Sequence, residues 1–334
     1  MVNSSGARTF SKSKKIVILG LLFLLAMGGG LFSLLQGSVQ VMPGEILQIL
    51  LGKSSGTNQQ IIMNIRLPRT IVAALVGMNL SLSGAVLQAI MKNPLADPHI
   101  IGISSGAGLA GILIMILFPS LEQLITPVAF CGAMAAAVCI YILAWKGGIR
   151  PVRIILAGVA VSAFLGAGIS ALLIFYSDRV HGALMWMVGG LAARSWPHAA
   201  IIFPYACLGS LLAYFAAGRL NVLQLGDEMA RSLGLRVEFT RIWLTAVAAL
   251  LAASAVSVVG LLGFVGLIVP HAARLLIGSD HHYLLPASAL LGMAVVTICD
   301  TISRTLFAPV ELPVGILMAI LGAPFFLFLL RREL

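Results

Sequence analysis

Stretches without a charged residue follow one another along most of the chain, at 16 to 36, 70 to 91, 99 to 118, 124 to 145, 154 to 176, 197 to 217, 242 to 273, 283 to 299 and 312 to 330. They are apolar all round, and most are close to the roughly 20 residues that a membrane-crossing helix needs. The run from Ile242 to Ala273 is 32 residues long, too long for one span, and Gly260, Gly263, Gly266 and Pro270 interrupt it. Dividing it near Gly263 predicts ten spans. The polar exception is residues 224 to 235, QLGDEMARSLGL. There Gly226 can start a short helix, Asp227 and Glu228 suit its positive first turn, and Gly234 can close it. Asp227 is four residues from Arg231, the spacing of a same-face ion pair. Leu225, Met229 and Leu233 recur every four residues as one narrow apolar stripe.

Composition agrees with lipid as the solvent: 60% of the 334 residues are hydrophobic, 10% are charged, and the mean hydropathy is +1.07. The expectation is an all-α integral membrane protein with about ten transmembrane helices, forming one transmembrane domain over 1–334. With Arg8, Lys12, Lys14 and Lys15 inside, ten spans place 15 of the 21 Lys and Arg residues on the cytoplasmic side and 6 outside. Nine spans would put Arg331 and Arg332 outside, against the positive-inside rule. The first run lacks a small-residue cleavage site and reads as a retained span. Residues 1–15 are then a cytoplasmic tail and 218–241 the longest cytoplasmic loop. The net charge of +10 is thus a topology signal, and no nucleic-acid partner is implied.

Chemistry is sparse within the spans. Cys131, Cys139, Cys207 and Cys299 have no metal-ligand spacing and read as packing residues. Asn79, Ser81, Ser83, Gln88, Ser162 and Ser170 are the main polar positions, and Asp300 and Arg304 are spaced to neutralise each other. Gly102, Gly106, Gly108 and Gly111, with Gly158, Gly166 and Gly168, suit close helix contacts. His281 and His282 beside Asp280 read as solvated loop residues. There is no series of buried acids for a proton-driven transporter and no catalytic cluster. Gly52-Lys53-Ser54 lacks the glycine that a phosphate loop requires, so ATP would have to be used by another chain. For residues 224 to 235, an acidic helix with a narrow stripe suits a protein groove better than a lipid surface.

Seven stretches in order, RLPRT (66–70), LSLSGAVLQAIMKNPLADPHIIGISSGAG (80–108), LAGVAVS (156–162), MWMVGGL (185–191), LGDEMARSLGL (225–235), GFVGLIVPHAARLL (263–276) and ELPVGILMAILGAPFFLFLLRR (311–332), resemble the FecCD permeases of type II ABC importers. That resemblance implies ten helices, no cofactor, and a route between this chain and a second permease subunit, alike or related. It further implies two ATP-binding subunits, an extracytoplasmic binding protein, and a bacterial-type inner membrane with both termini cytoplasmic. Leu225, Gly226, Asp227, Glu228, Met229, Ala230, Arg231, Leu233 and Gly234 would form the helix that couples to the ATPase. Asn93, Pro94 and Leu95 would form a cytoplasmic gate, Ser162, Gly166 and Ser170 would line the route, and Arg66, Arg69 and Arg304 would face the binding protein. Arg66 and Arg69 also flank a helix start, where basic side chains anchor at headgroups, and Asn93-Pro94 also reads as a simple turn. His282-Tyr283 departs from relatives, which often place Arg there. The implied cargo is a ferric siderophore-type chelate, with haem or cobalamin as alternatives and a secondary transporter as a remote one.

Overall fold

The computed structural model describes residues 11–37, 39–53, 56–99, 102–145 and 151–333; Arg8 and residues 146–150 lie outside them. Its helices are α1 (Lys12–Leu35), α2 (Pro43–Leu50), α3 (Thr57–Ile61), α4 (Leu67–Met91), α5 (Ile103–Leu117), α6 (Ile125–Ala144), α7 (Pro151–Phe175), α8 (Val180–Val188), α9 (Trp196–Phe215), α10 (Ala217–Gln224), α11 (Asp227–Ser232), α12 (Val237–Val259), α13 (Val265–Ile277), α14 (His281–Thr305) and α15 (Val314–Glu333). Among the described residues seven helical stretches are long and apolar enough to cross a membrane, and α5, α13 and residues 314–327 of α15 are shorter apolar helices. Together they make the expected ten. No strand occurs among the described residues.

Helices α4 and α12 are the most deeply embedded, whereas α1 and α7 turn most of their surface outward. The centre is built on close backbone approach. A Cβ at Gly77 would lie 2.1 Å from the Gly292 carbonyl oxygen, and one at Gly84 only 1.9 Å from that of Gly266. Helix α4 therefore touches α14 and α13 main chain to main chain. Gly106 does the same against Gly132 of α6, but Gly166 faces open space, so its expected packing role is not observed. Of the four cysteines only Cys299 is buried; Cys131, Cys139 and Cys207 lie on outer faces.

The predicted division of the 32-residue run is a break at 260–264, with Gly260 (φ 79°) and Phe264 (φ 68°) in left-handed backbone. Thirteen residues of α13 span only about 20 Å, less than a bilayer core, so the break sits where backbone groups need partners. The end of α8 supplies them: Leu261 N–H donates to the Trp186 carbonyl (3.1 Å) and Gly190 N–H to that of Val259 (2.9 Å). Gly315 at the start of α15 joins by donating to Gly189 (3.1 Å). A Cβ at Gly260 would stand 2.2 Å from the Trp186 oxygen, so the three segments meet only because glycines do.

Two variants separate these glycine roles. Gly84→Val should cost the overpacking penalty of about 1–3 kcal/mol or more and sharply lower the yield of folded protein in detergent. Gly166→Ala should leave yield and thermal stability unchanged.

Candidate functional site

Helix α11 forms where the polar stretch predicts it. Gly226 precedes it with φ 111°, and Gly234 ends it with φ 81° while Leu235 N–H donates back to the Ala230 carbonyl (2.9 Å). Both positions need glycine's tolerance of left-handed backbone. Ala230 is fully buried and ties the helix to the core, while Leu225, Met229 and Leu233 are exposed. The stripe thus projects away from the protein.

The pairing expected within this helix is not observed. Asp227 binds Arg241 of α12 in fork geometry (2.8 and 2.9 Å) and Lys92 at the end of α4 (2.7 Å). Arg231 instead pairs with Glu238 (2.9 Å). The reason is competition: Arg241 is buried and needs a carboxylate, and a two-pronged bond outweighs an exposed pair one turn along. Burial works to raise the Asp227 pKa, but the hydrogen bonds and charges of Lys92 and Arg241 outweigh it, so its carboxyl lies below the usual range.

Asn93, Pro94 and Leu95 follow directly from Lys92, which caps α4 in left-handed backbone (φ 48°). The Asn93 side chain accepts from Leu95 N–H (2.9 Å), so the segment is a defined turn. Asp97 is 4% exposed and accepts from His99 N–H (2.7 Å). Its other oxygen lies against the first turn of α13, 2.9 Å from where a Cβ of Gly266 would be. Lys92, Arg241 and Asp97 were not singled out in the sequence; only the Asp-x-His turn signal at 97 to 99 could have found one of them.

Two cavities flank the meeting point of α8, the break and α15. One of about 610 Å³ is lined by Asp97, His99, Leu261, Phe264, Ala319 and Phe326. The other, of about 280 Å³, is lined by Arg69, Trp186, Arg194, Glu311 and Pro313. None of Ser162, Gly166 and Ser170 lines either. Ser162 packs against the start of α5, where a Cβ at Gly102 would meet its hydroxyl at 2.9 Å, and Ser170 is exposed and donates to the Gly166 carbonyl (3.0 Å).

The three arginines are placed differently from the exposed arrangement expected. Arg66, Arg69 and Arg304 are 3%, 6% and 8% exposed. Arg69 holds Asp300 through two bonds of 2.9 Å and reaches Glu311 with a third (2.9 Å). Asp300 therefore pairs with α4, not with Arg304. Arg304 donates to the carbonyl and hydroxyl of Ser33, and Arg66 to the carbonyls of Leu34, Leu35 and Val39. In lipid an arginine without such partners is costly, and the carbonyls at the end of α1 have no intrahelical donors. At the opposite end of α14, His281 is buried, not solvated, and shares Asn221 with Asp280.

The comparisons with known proteins agree with this architecture. Across 96% of its length the chain is 36% identical to the iron(3+)-hydroxamate import system permease protein FhuG of Bacillus subtilis, covering 98% of that protein. It is 45% identical to the cobalamin import system permease protein BtuC of Halobacterium salinarum, over 82% of this chain and 74% of that one. A solved structure described as an inward-facing conformation of a putative metal-chelate type ABC transporter superposes with a TM-score of 0.84 at 30% identity, covering 95% of this chain and 99% of the other. Residues 22–332 match the model of the FecCD transport family, and the chain belongs to that family.

Proposed function

We propose that this chain is the membrane-spanning permease subunit of an ABC importer that carries a ferric siderophore-type chelate into the cytoplasm. One observation carries the reading: α11 presents Leu225, Met229 and Leu233 to the outside of the chain while Ala230 and Asp227 bind it to the core. An apolar stripe on a rigidly held helix is suited to a groove on another protein. That protein would be an ATP-binding subunit, one for each of two permease subunits, and the permease itself would do no covalent chemistry. An extracytoplasmic binding protein would deliver the cargo across a bacterial-type inner membrane, with both termini cytoplasmic. The hydroxamate relative favours an iron chelate, and the cobalamin relative keeps a corrinoid as the second reading.

In this scheme Asn93, Pro94 and Leu95 close the cytoplasmic end. The α7 face bearing Gly166 and Ser170 looks toward the second permease subunit along the route, and the surface around Arg66, Arg69 and Arg304 receives the binding protein. Because those guanidiniums are occupied internally, they would shape that surface by fixing α1, α4 and α14, with Glu311 more accessible.

Replacing Met229 and Leu233 by Asp should leave the permease folded while the ATPase no longer co-purifies and uptake stops; unchanged co-purification and uptake would sink the coupling role. Cysteines at Leu95, in a background without the four native ones, should crosslink between two permease subunits, to different extents with and without ATP. If no state brings them together, the gate lies elsewhere. Arg69→Gln leaves Asp300 buried without its partner and should cost about 3–5 kcal/mol of stability, read as a fall in the thermal unfolding midpoint. Unchanged stability with slower binding-protein association would instead return Arg69 to direct docking.

A further inference from the structure

A carboxylate joins the coupling helix to the start of the gate segment. Asp227 is the first residue of α11, and from behind it is fixed by the Arg241 fork, whose side chain is 3% exposed. In front its Oδ1 lies 2.7 Å from Nζ of Lys92, 135 positions earlier in the chain. Lys92 is the last point of α4 and the first of the segment that carries Asn93, Pro94 and Leu95. It is held in left-handed backbone, φ 48°, which a residue with a side chain adopts only where its surroundings enforce it. At the far end of the same segment Asp97 is packed against the first turn of α13, where Gly266 has no Cβ to displace it. The segment is therefore pinned at two points, one on α11 and one on α13.

The two pins differ in kind. Asp97 is almost entirely enclosed, at 4% exposure. Lys92 and Asp227 retain 34% and 32% of their side-chain exposure, and beside them lies a polar cavity of about 330 Å³ lined by Gln88, Lys92, Asn93, Pro94, Gln224 and Arg274. A partly solvated ion pair contributes little to fold stability, yet it fixes the separation of the two groups that it joins. It can also break and re-form as the neighbouring cavity changes shape.

We propose that the Lys92–Asp227 pair is the link by which displacement of α11 is passed to the gate segment, with Lys92 a positioning residue for the gate and not part of the ATPase contact. This rests on the reading of α11 as the ATPase-docking helix. A push on α11 would carry Asp227 with it, Lys92 would follow, and Asn93 to Leu95 would turn about the Asp97 pin.

The test uses the complete transporter reconstituted in vesicles with its ATPase and binding protein, comparing Lys92→Ala, Lys92→Arg, Asp227→Asn and the Lys92→Ala/Asp227→Asn double variant. Lys92→Ala should keep the parent's thermal stability, ATPase co-purification and hydrolysis rate. Transport per ATP hydrolysed should fall about fivefold or more, the lower end of typical coupling between sites. Lys92→Arg should restore it, and the double variant should transport no less per ATP than the worse single one, as expected for two partners in one link. Cysteines at Leu95 should lose the ATP dependence of their crosslinking when Lys92 is Ala. Parent-like transport per ATP in Lys92→Ala overturns the link, as does a loss that follows falling stability and is not rescued by Arg. A failed docking reading shows separately, because the Met229 and Leu233 variants would then retain the ATPase.

Discussion

The structure depends on α4 lying against α13 and α14 at backbone contact. In a membrane, apolar side chains gain little by leaving lipid for one another, so helices are held by close packing and by hydrogen bonds between them. The facing pairs Gly77 with Gly292 and Gly84 with Gly266 provide that proximity, since a Cβ at Gly77 or Gly84 would stand about 2 Å from a facing carbonyl oxygen. Hydrogen bonds then become geometrically available. Asn79 reaches Ser254 of α12, Ser83 reaches the Ala248 carbonyl, and Gln88 reaches the Gly266 and Leu267 carbonyls at 3.0, 2.7, 3.3 and 3.2 Å. The Asn79 amide NH2, the Ser83 hydroxyl and the Gln88 amide NH2, which look isolated along the α4 sequence, thus find acceptors on neighbouring helices.

The positions of the membrane helices were legible because length and lack of charge are properties of a segment alone. Residues 242 to 273 show the same at a finer level: Gly260 and Gly263 in an over-long run mark the break between Gly260 and Phe264, whereas Gly266 and Pro270, also expected to interrupt the run, lie inside α13. Helix α11 was legible for a similar reason, its ends being set by Gly226 and Gly234 and its face by a four-residue stripe. What was not legible was which charges meet. Asp227 with Arg231 and Asp300 with Arg304 both have helical spacing, which shows only that two residues share a face. Each carboxylate found a stronger partner far along the chain, Arg241 and Arg69, and no local pattern encodes those distances. The exposure expected of Arg66, Arg69 and Arg304 failed on the same ground. A basic residue at a helix start anchors at headgroups only when no carboxylate or open carbonyl waits inside the bundle.

Consequently the two ends of α4 are held by interactions of opposite character. At the N-terminal end Arg69 and Asp300 are buried, Arg66 and Arg304 cap the end of α1, and separating any of these groups would strand a charge in a medium that does not solvate it. Breaking such a pair is costly even where forming it gains little. At the C-terminal end Lys92 and Asp227 keep about a third of their exposure, so water can replace either partner at small cost. A rigid central helix fixed at its Arg69 end and loosely tethered at its Lys92 end has its least resistance to rearrangement at the Lys92 end. Displacement applied there, at α11, would be spent on the 92 to 99 segment before it could reach the arginine network, because strain concentrates where the restoring interactions are weakest.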